Sequence, residues 1–441
     1  MNDTLLSRNP VWDEAGFFGR SDELAWVRDK LGRRTPQNCN VVGEPRIGKS
    51  SFLFRLYEQW EGIGIWLRLV ELPEHDSAVF WQAMWWGWQA AVGQTAVAHD
   101  DARANFDALD EAIGEFMAEN ESRIVFFVDD FDLLVGANGG IGQRDLDWLR
   151  SLATRYGEGL AFVIGSSEPL AVLTGRVGET AVSPLANLFH NLHLGLLTAK
   201  EADDLCQAVA VAEDVAFTAD EMAFWQQEAG THPDLLKVAG GYLLAARQAG
   251  QRGVPLLETV VAEVRVDGQV RWLCQQLLAR RTAAERAMLV VLANGRVPTD
   301  PILLTHLRRL GLVVDTDLFA DAFRYWLRRE TADEPALESA NASISHRPQQ
   351  KVAVMEGREV RLTPLENRLL AYFMERANEV CTIEELLTNI WGEGKTNSVV
   401  EKGVSRLREK IEADPKRPRY LLSAWGEGYL LRTAVASQEK V

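Results

Sequence analysis

The stretch "GEPRIGKSS", Gly43 to Ser51, decides the fold of the first half of the chain. Gly43, Gly48, Lys49 and Ser50 satisfy G-x-x-x-x-G-K-[ST], and the setting is the required one. A strand-like run, "CNVV", precedes the loop, and a helix-forming run, "FLFRLYEQW", follows it. Glycines let backbone N–H groups turn inward on phosphates, and the N-terminus of the next helix adds its positive end. Glu44, Pro45, Arg46, Ile47 and Ser51 complete the expected cradle. Lys49 is spaced to reach the β- and γ-phosphates, and Ser50 to ligate Mg²⁺. ATP and Mg²⁺ are therefore the expected ligands.

Further strands are expected in "GIGIWLRLVEL", "RIVFFVDDFDLL" and "GLAFVIGSSEPL". The second of these is apolar on both faces, as a buried parallel strand should be. Helical segments alternate with the strands, which predicts a parallel α/β core over residues 1–197. "VDD" ends a buried strand in two carboxylates. Asp129 is expected to hold Mg²⁺, and Asp130 to orient the attacking water. The plainer alternative is a pair of solvated acids at a strand end. Ser166, with Ser167 beside it, stands where a γ-phosphate sensor is expected, although small polar residues also simply end strands. In "FWQAMWWGWQAAV" (80–92), Trp81, Trp85 and Trp88 share one helical face, expected to pack on the sheet. Trp86 falls off that stripe and leaves room for a protein partner.

At "LTAKEADDLCQ", Thr198 and Glu201 make a capping box, and helices are expected across 198–281. Residues 282–330 read as a small winged-helix-like domain. Residues 331–348, rich in Ala, Ser, Glu and Asp, read as a flexible linker. A compact C-terminal module is expected over 349–435.

Three further stretches carry a resemblance: "FFGRSDELAWVRDKL", "LHLGLLTAKEADDL" and "GTHPDLLKVAGGYLL". With the phosphate loop they resemble the AAA+-related STAND class of ATPases over roughly residues 15–330. The resemblance implies that Phe18, Gly19 and Arg20 border the adenine pocket. It also implies that Gly230, His232 and Pro233 close a lid on the nucleotide; from the residues alone, Pro233 is simply the first residue of a helix. The Met-His-Asp motif of that class is missing. Arg155 and Arg176 are candidates for an arginine finger, and without one hydrolysis is expected to be slow.

In the C-terminal module, Thr363, Pro364 and Glu366 cap one helix. "IEELLTNIW" is a second helix, "SVVEKGVSRLREKIE" a third, and "RYLLSAWGEGYLL" a hairpin turning on Gly426–Gly428. This resembles the OmpR/PhoB-type winged helix over about 90 residues. The resemblance implies double-stranded DNA as partner, with the third helix in the major groove. Lys402 and Arg406 are then candidates for base or phosphate contacts, and Ser405, Arg408 and Lys410 for phosphates. Gly403, in mid-helix, is expected to give room for the DNA backbone. Trp425 stands where that family usually has an arginine before the wing.

The charge is consistent with this division. The formal net charge is −16, but residues 347–436 hold 15 basic and 13 acidic residues, and 402–419 hold seven basic and three acidic. An acidic body with a locally basic C-terminal module allows DNA contact through that module. Four scattered cysteines give no disulfide or zinc spacing. No apolar run reaches membrane-spanning length, and a reducing cytoplasm is expected. Taken together, the sequence reads as an ATP-dependent transcription regulator whose nucleotide state sets homo-oligomerisation and promoter binding, with ATP and ADP as alternating ligands. The alternatives are a nucleotide-gated defence or DNA-transaction ATPase, or a module that binds protein instead of DNA.

Overall fold

Alternation along one strand builds the core of the first half. In β3 (Ile124–Asp129), Ile124, Phe126 and Val128 face one side of the sheet, Val125 and Phe127 the other, and all are buried. The computed structural model describes residues 5–435 other than 8, 100, 136–139, 176, 178–184, 299, 333–341, 356–357, 377–379, 393–396, 413–417, 419, 425–427 and 432–433. The chain divides into two compact units, Met1–Glu330 and Thr331–Val441.

Among the described residues of the first unit, β3 joins β1 (Asn38–Gly43), β2 (Ile63–Arg68), β4 (Leu160–Ser166) and β5 (Phe189–Leu194) in one sheet. The strand order is β2-β3-β4-β1-β5, and every pairing is parallel. Helices Ser21–Gly32 and Lys49–Glu58 cover one face. The Trp-rich helix Ser77–Ala91, with Ala102–Glu119 and Gln143–Arg155, covers the other. A sheet buried on both sides cannot alternate polar with apolar, which is why β3 and β4 read as unbroken apolar runs.

Trp81, Trp85 and Trp88 are buried in that second face, as their helical spacing predicts. The Trp81 indole donates to Asp145 Oδ1 at 2.9 Å, and Trp85 to the Val97 carbonyl at 2.8 Å. Trp86 is half exposed, and its indole N–H also meets the Val97 carbonyl, at 3.3 Å.

From Ala199 onward helices fill the rest of this unit, apart from a short hairpin of β6 (Val313–Val314) and β7 (Asp317–Leu318). One hydrophobic core runs from Leu197 to Leu327, so the 198–281 and 282–330 segments are welded together. The junction shows why. Gly230 lies at φ 61°, and a Cβ there would stand 2.0 Å from the Phe319 carbonyl oxygen. Only glycine lets the "GTHP" turn approach the second segment so closely.

In the second unit, β8 (Ala342–Arg347), β9 (Val352–Met355), β10 (Arg358–Arg361) and β14 (Ala434–Val435) form an antiparallel sheet. This corrects the expected 331–348 linker, since 342–347 is a strand. Its pattern, Ile344 between two serines, alternates with period 2, and the small-residue composition hides it. Helices Pro364–Glu375 and Asn397–Ile411 pack around Leu369, Phe373, Val400, Val404, Leu407 and Ile411. The shorter Ile383–Leu386, continued to Trp391, lies between them in sequence. Strands β11 (Val380–Thr382), β12 (Leu421–Ala424) and β13 (Gly428–Leu431) make the second sheet. Trp425 and the turn at Gly426 lie outside the described residues.

Gly403 departs from its expected role. It is buried, and a Cβ there would lie 2.5 Å from the Trp391 ring. The space serves Trp391 and not a DNA strand. Alanine in mid-helix ordinarily stabilises by about 1 kcal/mol over glycine. Here overpacking should outweigh that gain, and Gly403→Ala should destabilise the second unit by about 1–2 kcal/mol. Urea denaturation of the isolated unit checks this, and adding Trp391→Leu should reverse the sign.

Candidate nucleotide site and DNA-binding face

The strand order sets the site. Because β4 lies between β1 and β3, the loop leaving β1 and the acids ending β3 flank the end of β4. All three emerge at the carboxyl edge of a parallel sheet, the edge where such folds hold ligands. A cleft of about 700 Å³ opens there.

The phosphate loop forms the floor. Gly48 sits at φ 100° and Arg46 at φ 61°, a left-handed path that reverses the chain before helix Lys49–Glu58. That helix has no side-chain cap, so its leading N–H groups are left for a ligand. Lys49 folds back beneath the loop and donates to the Gly43 carbonyl at 2.9 Å and the Glu44 carbonyl at 3.1 Å. Burial lowers the Lys49 pKa, opposed by Asp132, Asp130 and Asp129. Pro45 through Ser51 all line the cleft, whereas Gly43 and Glu44 lie behind it. Ser51 also accepts the Val11 N–H at 2.8 Å, which holds the segment Asn9–Val11 along the rim.

Asp129 is fully buried at the end of β3. Neither carboxylate oxygen finds a hydrogen bond of ordinary geometry. Burial, then neighbouring Asp130, pushes its pKa up to about 6, while the Ser50 hydroxyl, Lys49 and Arg68 pull the other way. A buried carboxylate short of donors, beside a serine hydroxyl, suits a hard divalent cation. Asp130 takes φ 61°, which turns its side chain out into the cleft while Asp129 stays behind. Burial raises the Asp130 pKa as well.

Of the two serines at the expected γ-phosphate sensor position, Ser166 and Ser167, only Ser167 lines the cleft. Ser166 is fully buried: its hydroxyl donates to the Glu168 carbonyl at 2.7 Å and accepts from Asn40 Nδ2 at 2.7 Å. It therefore stitches β4 to β1 and does not face the cleft. Ser167 lines the cleft, and Asp132 holds its N–H at 2.8 Å and its hydroxyl as well. Alternation along a strand places only one of two neighbours on a given side.

The residues implied by family resemblance divide in the same way. Phe18, Arg20 and Pro233 line the cleft. Arg20 is buried there and internally engaged: it donates to the Gly195 carbonyl at 2.5 Å and the Leu196 carbonyl at 3.2 Å. Its backbone N–H donates to Glu201 at 2.5 Å, and a Cβ on Gly19 would strike the same carboxylate. His232 is buried away from the cleft, tilted against Phe319 at 5.9 Å. Arg155 pairs with Asp110 on the exposed side of its helix, and Arg176 lies outside the described residues.

Sequence reasoning missed several cleft residues: Arg68, Asp132, Lys237, Trp272 and Arg280. It also missed the buried pair Glu44–Arg281, at 2.6 Å, and the looser Arg46–Asp234, at 3.8 Å. Two variable positions of the phosphate loop thus reach oppositely charged partners in the helical segment. No spacing rule links such distant residues. The tandem arginine in "LARRTAAE" was the available signal.

In the second unit, helix Asn397–Ile411 turns Val400, Val404, Leu407 and Ile411 inward. Lys402, Ser405 and Arg406 are exposed. Arg408 and Lys410 differ from expectation. Arg408 donates to the Leu421 carbonyl at 2.8 Å and lies over the Tyr429 ring. Lys410 donates to Glu366 at 2.7 Å and to the Arg361 carbonyl at 3.2 Å. Both brace the module from one flank of the helix.

These features define two classes of module in one chain, a P-loop ATPase-like core and a winged-helix DNA-binding domain. The comparisons with known proteins agree. Residues 357–431 match the family "Transcriptional regulatory protein, C terminal", so the second unit carries an OmpR/PhoB-type domain. The regulatory protein VanRc of Enterococcus gallinarum is 35% identical over 80 residues, 18% of this chain and 35% of that protein. The KDP operon transcriptional regulatory protein KdpE of Escherichia coli K12 is 33% identical over 111 residues, 24% of this chain and 48% of that protein. The chain thus spans less than half the length of these relatives. The Walker-type ATPase Paby2304 of Pyrococcus abyssi superposes with a TM-score of 0.51, at 15% identity, over 74% of this chain and 99% of its own. That likeness establishes a Walker-type ATPase fold. Among the described residues no helix is long and apolar enough to cross a membrane.

The raised pKa of Asp129 has a consequence for stability. A carboxyl with a pKa of about 6 in the folded chain, against 3.8 ordinarily, favours folding while protonated. That contribution falls away as pH rises through the window between the two values, and at pH 7 the buried charge is a penalty. Asp129→Asn should therefore stabilise the metal-free protein at pH 7, by about 1–3 kcal/mol. The gain should vanish near pH 4. Urea denaturation at the two pH values measures it.

Proposed function

We propose that the chain is a DNA-binding transcription regulator controlled by ATP, with the nucleotide acting as a switch and not as fuel for a motor. One observation carries the reading. Lys49, Ser50, Asp130 and Ser167 meet in one cleft with groups from the helical segment that follows, in a chain that also carries a transcription-regulator DNA-binding domain. A cleft bounded by both the sheet and the helical segment gives a bound nucleotide contact with two bodies, and so a means of fixing their arrangement.

In this reading the loop 43–51 cradles the phosphates and Lys49 leaves its two carbonyls for the β- and γ-oxygens. Ser50 and Asp129 hold Mg²⁺, which would neutralise charge on the phosphates. Asp130 orients the attacking water. Ser167, rather than Ser166, faces the γ-phosphate, and its hydroxyl would have to exchange Asp132 for a phosphate oxygen. Phe18 and Pro233 border the base. Arg20 shapes that wall but keeps its own guanidinium for Gly195 and Leu196. On the DNA side, Lys402, Ser405 and Arg406 form the contact face, and Arg408 and Lys410 brace it.

Two variants separate the nucleotide states. Lys49→Ala removes the cation on the phosphates and should abolish ATP binding in equilibrium dialysis. Asp130→Asn keeps Mg²⁺ binding at Asp129 and should bind ATP but not turn it over. With ATP, the Asp130→Asn protein should sediment as a larger homo-oligomer and bind DNA more tightly. Clustered heads gain avidity, by about 10²–10⁴ where they can engage together. Equal sedimentation and equal DNA affinity for the two variants would defeat the switch.

Lys402→Ala and Arg406→Ala should each cost about 1–3 kcal/mol of specific DNA affinity if they read bases. If they meet phosphate only, the loss should be even across sequences, with a shallower salt dependence. Fluorescence anisotropy on promoter and scrambled duplexes at two salt concentrations tells these apart. An unmodified protein with no salt-dependent DNA binding would instead support a protein-binding module.

A further inference from the structure

Two adjacent arginines, Arg280 and Arg281, stand between helix Gly268–Ala279 and helix Ala283–Ala293, where the winged-helix-like segment begins. Their side chains have different fates. Arg281 is buried; it donates to Glu44 of the phosphate loop at 2.6 Å and to the Leu277 carbonyl at 3.1 Å. Arg280 is exposed and lines the phosphate cleft together with Lys49 and Ser50. Its guanidinium makes no hydrogen bond or ion pair among the described residues, although its charge acts through space on Glu44 and Lys49.

The other cations of the cleft are engaged. Arg46 faces Asp234, Arg68 pairs with Glu71, and Lys237 donates to the Ser7 carbonyl. Arg20 is held by backbone carbonyls. Arg280 alone among these brings an uncommitted guanidinium to the cleft that holds Lys49. Arg280 and Lys49 repel across the cleft even with Asp130 and Asp132 beside them, and an anion lying between the two cations would relieve that repulsion. A polyphosphate is that anion, and a guanidinium fork matches its terminal oxygens by two parallel charge-assisted hydrogen bonds.

We propose that Arg280 is a ligand of the terminal phosphate of the bound nucleoside triphosphate, and that it makes the site distinguish triphosphate from diphosphate. The proposal rests on the nucleotide reading above. The diphosphate lacks the group that Arg280 would hold, so losing Arg280 should affect one ligand and spare the other. The next residue, Arg281, is fixed to the phosphate loop by Glu44. A pull on Arg280 is therefore applied at a pinned joint, directly before the helix that opens the winged-helix-like segment. The terminal phosphate would be sensed by that segment and not only by the sheet.

The test is equilibrium binding of ATP and ADP, with Mg²⁺, to the unmodified full-length protein and to its Arg280→Ala and Arg280→Lys variants. Hydrogen exchange over residues 283–330 is followed alongside. For Arg280→Ala, ATP affinity should fall about 10- to 100-fold, the loss of one charged hydrogen-bonding group. ADP affinity should stay within about twofold, which also reports that the variant is folded. Arg280→Lys should recover part of the ATP affinity, because it restores charge without the fork. ATP should protect 283–330 more than ADP in the unmodified protein, and equally with ADP in Arg280→Ala. An unchanged ATP-to-ADP ratio in Arg280→Ala overturns this proposal and leaves the nucleotide reading intact. Equal losses for both nucleotides overturn it as well. An unmodified protein that binds neither nucleotide overturns the nucleotide reading itself, and the proposal with it.

Discussion

The first unit is organised around an ammonium group that has no comfortable place of its own. Lys49 is drawn under the phosphate loop, where it meets two backbone carbonyls and the field of Asp129, Asp130 and Asp132. Each side of this arrangement needs the other. Without the lysine, three carboxylates would crowd one sheet edge; without the carboxylates, the ammonium would be desolvated with only carbonyl dipoles to face. The strand order that brings β1 and β3 to either side of β4 is what makes the compensation possible. A site held together by opposed, incompletely satisfied charges is one that a multiply charged ligand with its metal can reorganise.

Much of this was legible in the sequence, and the reason is local. A glycine loop between a strand and a helix, an apolar strand ending in acids, and four-residue capping boxes are all written within a few adjacent residues. The helices that begin at Thr198, Thr282 and Thr363 all start on a threonine whose partner glutamate lies three residues on. The spacing of Trp81, Trp85 and Trp88 likewise gave their burial. What failed was orientation. Ser166 and Ser167 are equivalent as letters, and only the turn of the chain at the end of β4 decides which one reaches the cleft. Arg408 and Lys410 belong to a basic run, yet the helix turns them toward Leu421 and Glu366 while Lys402 and Arg406 face outward. His232 carried a family expectation that packing against Phe319 does not support. The strand at Ala342–Arg347 was hidden because composition drowned its alternation.

The second unit shows how a small domain divides one helix between support and contact. The inward stripe of Asn397–Ile411 is ordinary core. One flank is anchored by Lys410 to Glu366, the capping-box glutamate of helix Pro364–Glu375, and by Arg408 to a wing strand. Glu412, just past its end, accepts the N–H groups of Tyr420 and Leu421, both at 2.8 Å. Held at its end and along one flank, the helix presents its exposed residues rigidly, which reduces the entropy lost when they engage a ligand.

Glu44 occupies a position that the phosphate-loop pattern leaves open to any residue. In this chain it carries the buried bond to Arg281. In the proposed nucleotide reading the side-chain contacts to phosphate fall to Lys49 and Ser50, so the side chain at position 44 could change while those contacts remain. Descendants of this sequence could therefore retune how firmly the helical segment is tied to the loop by changing residues 44 and 281 together. In that reading, the firmness of the tie between loop and helical segment would be inherited apart from the phosphate contacts of Lys49 and Ser50.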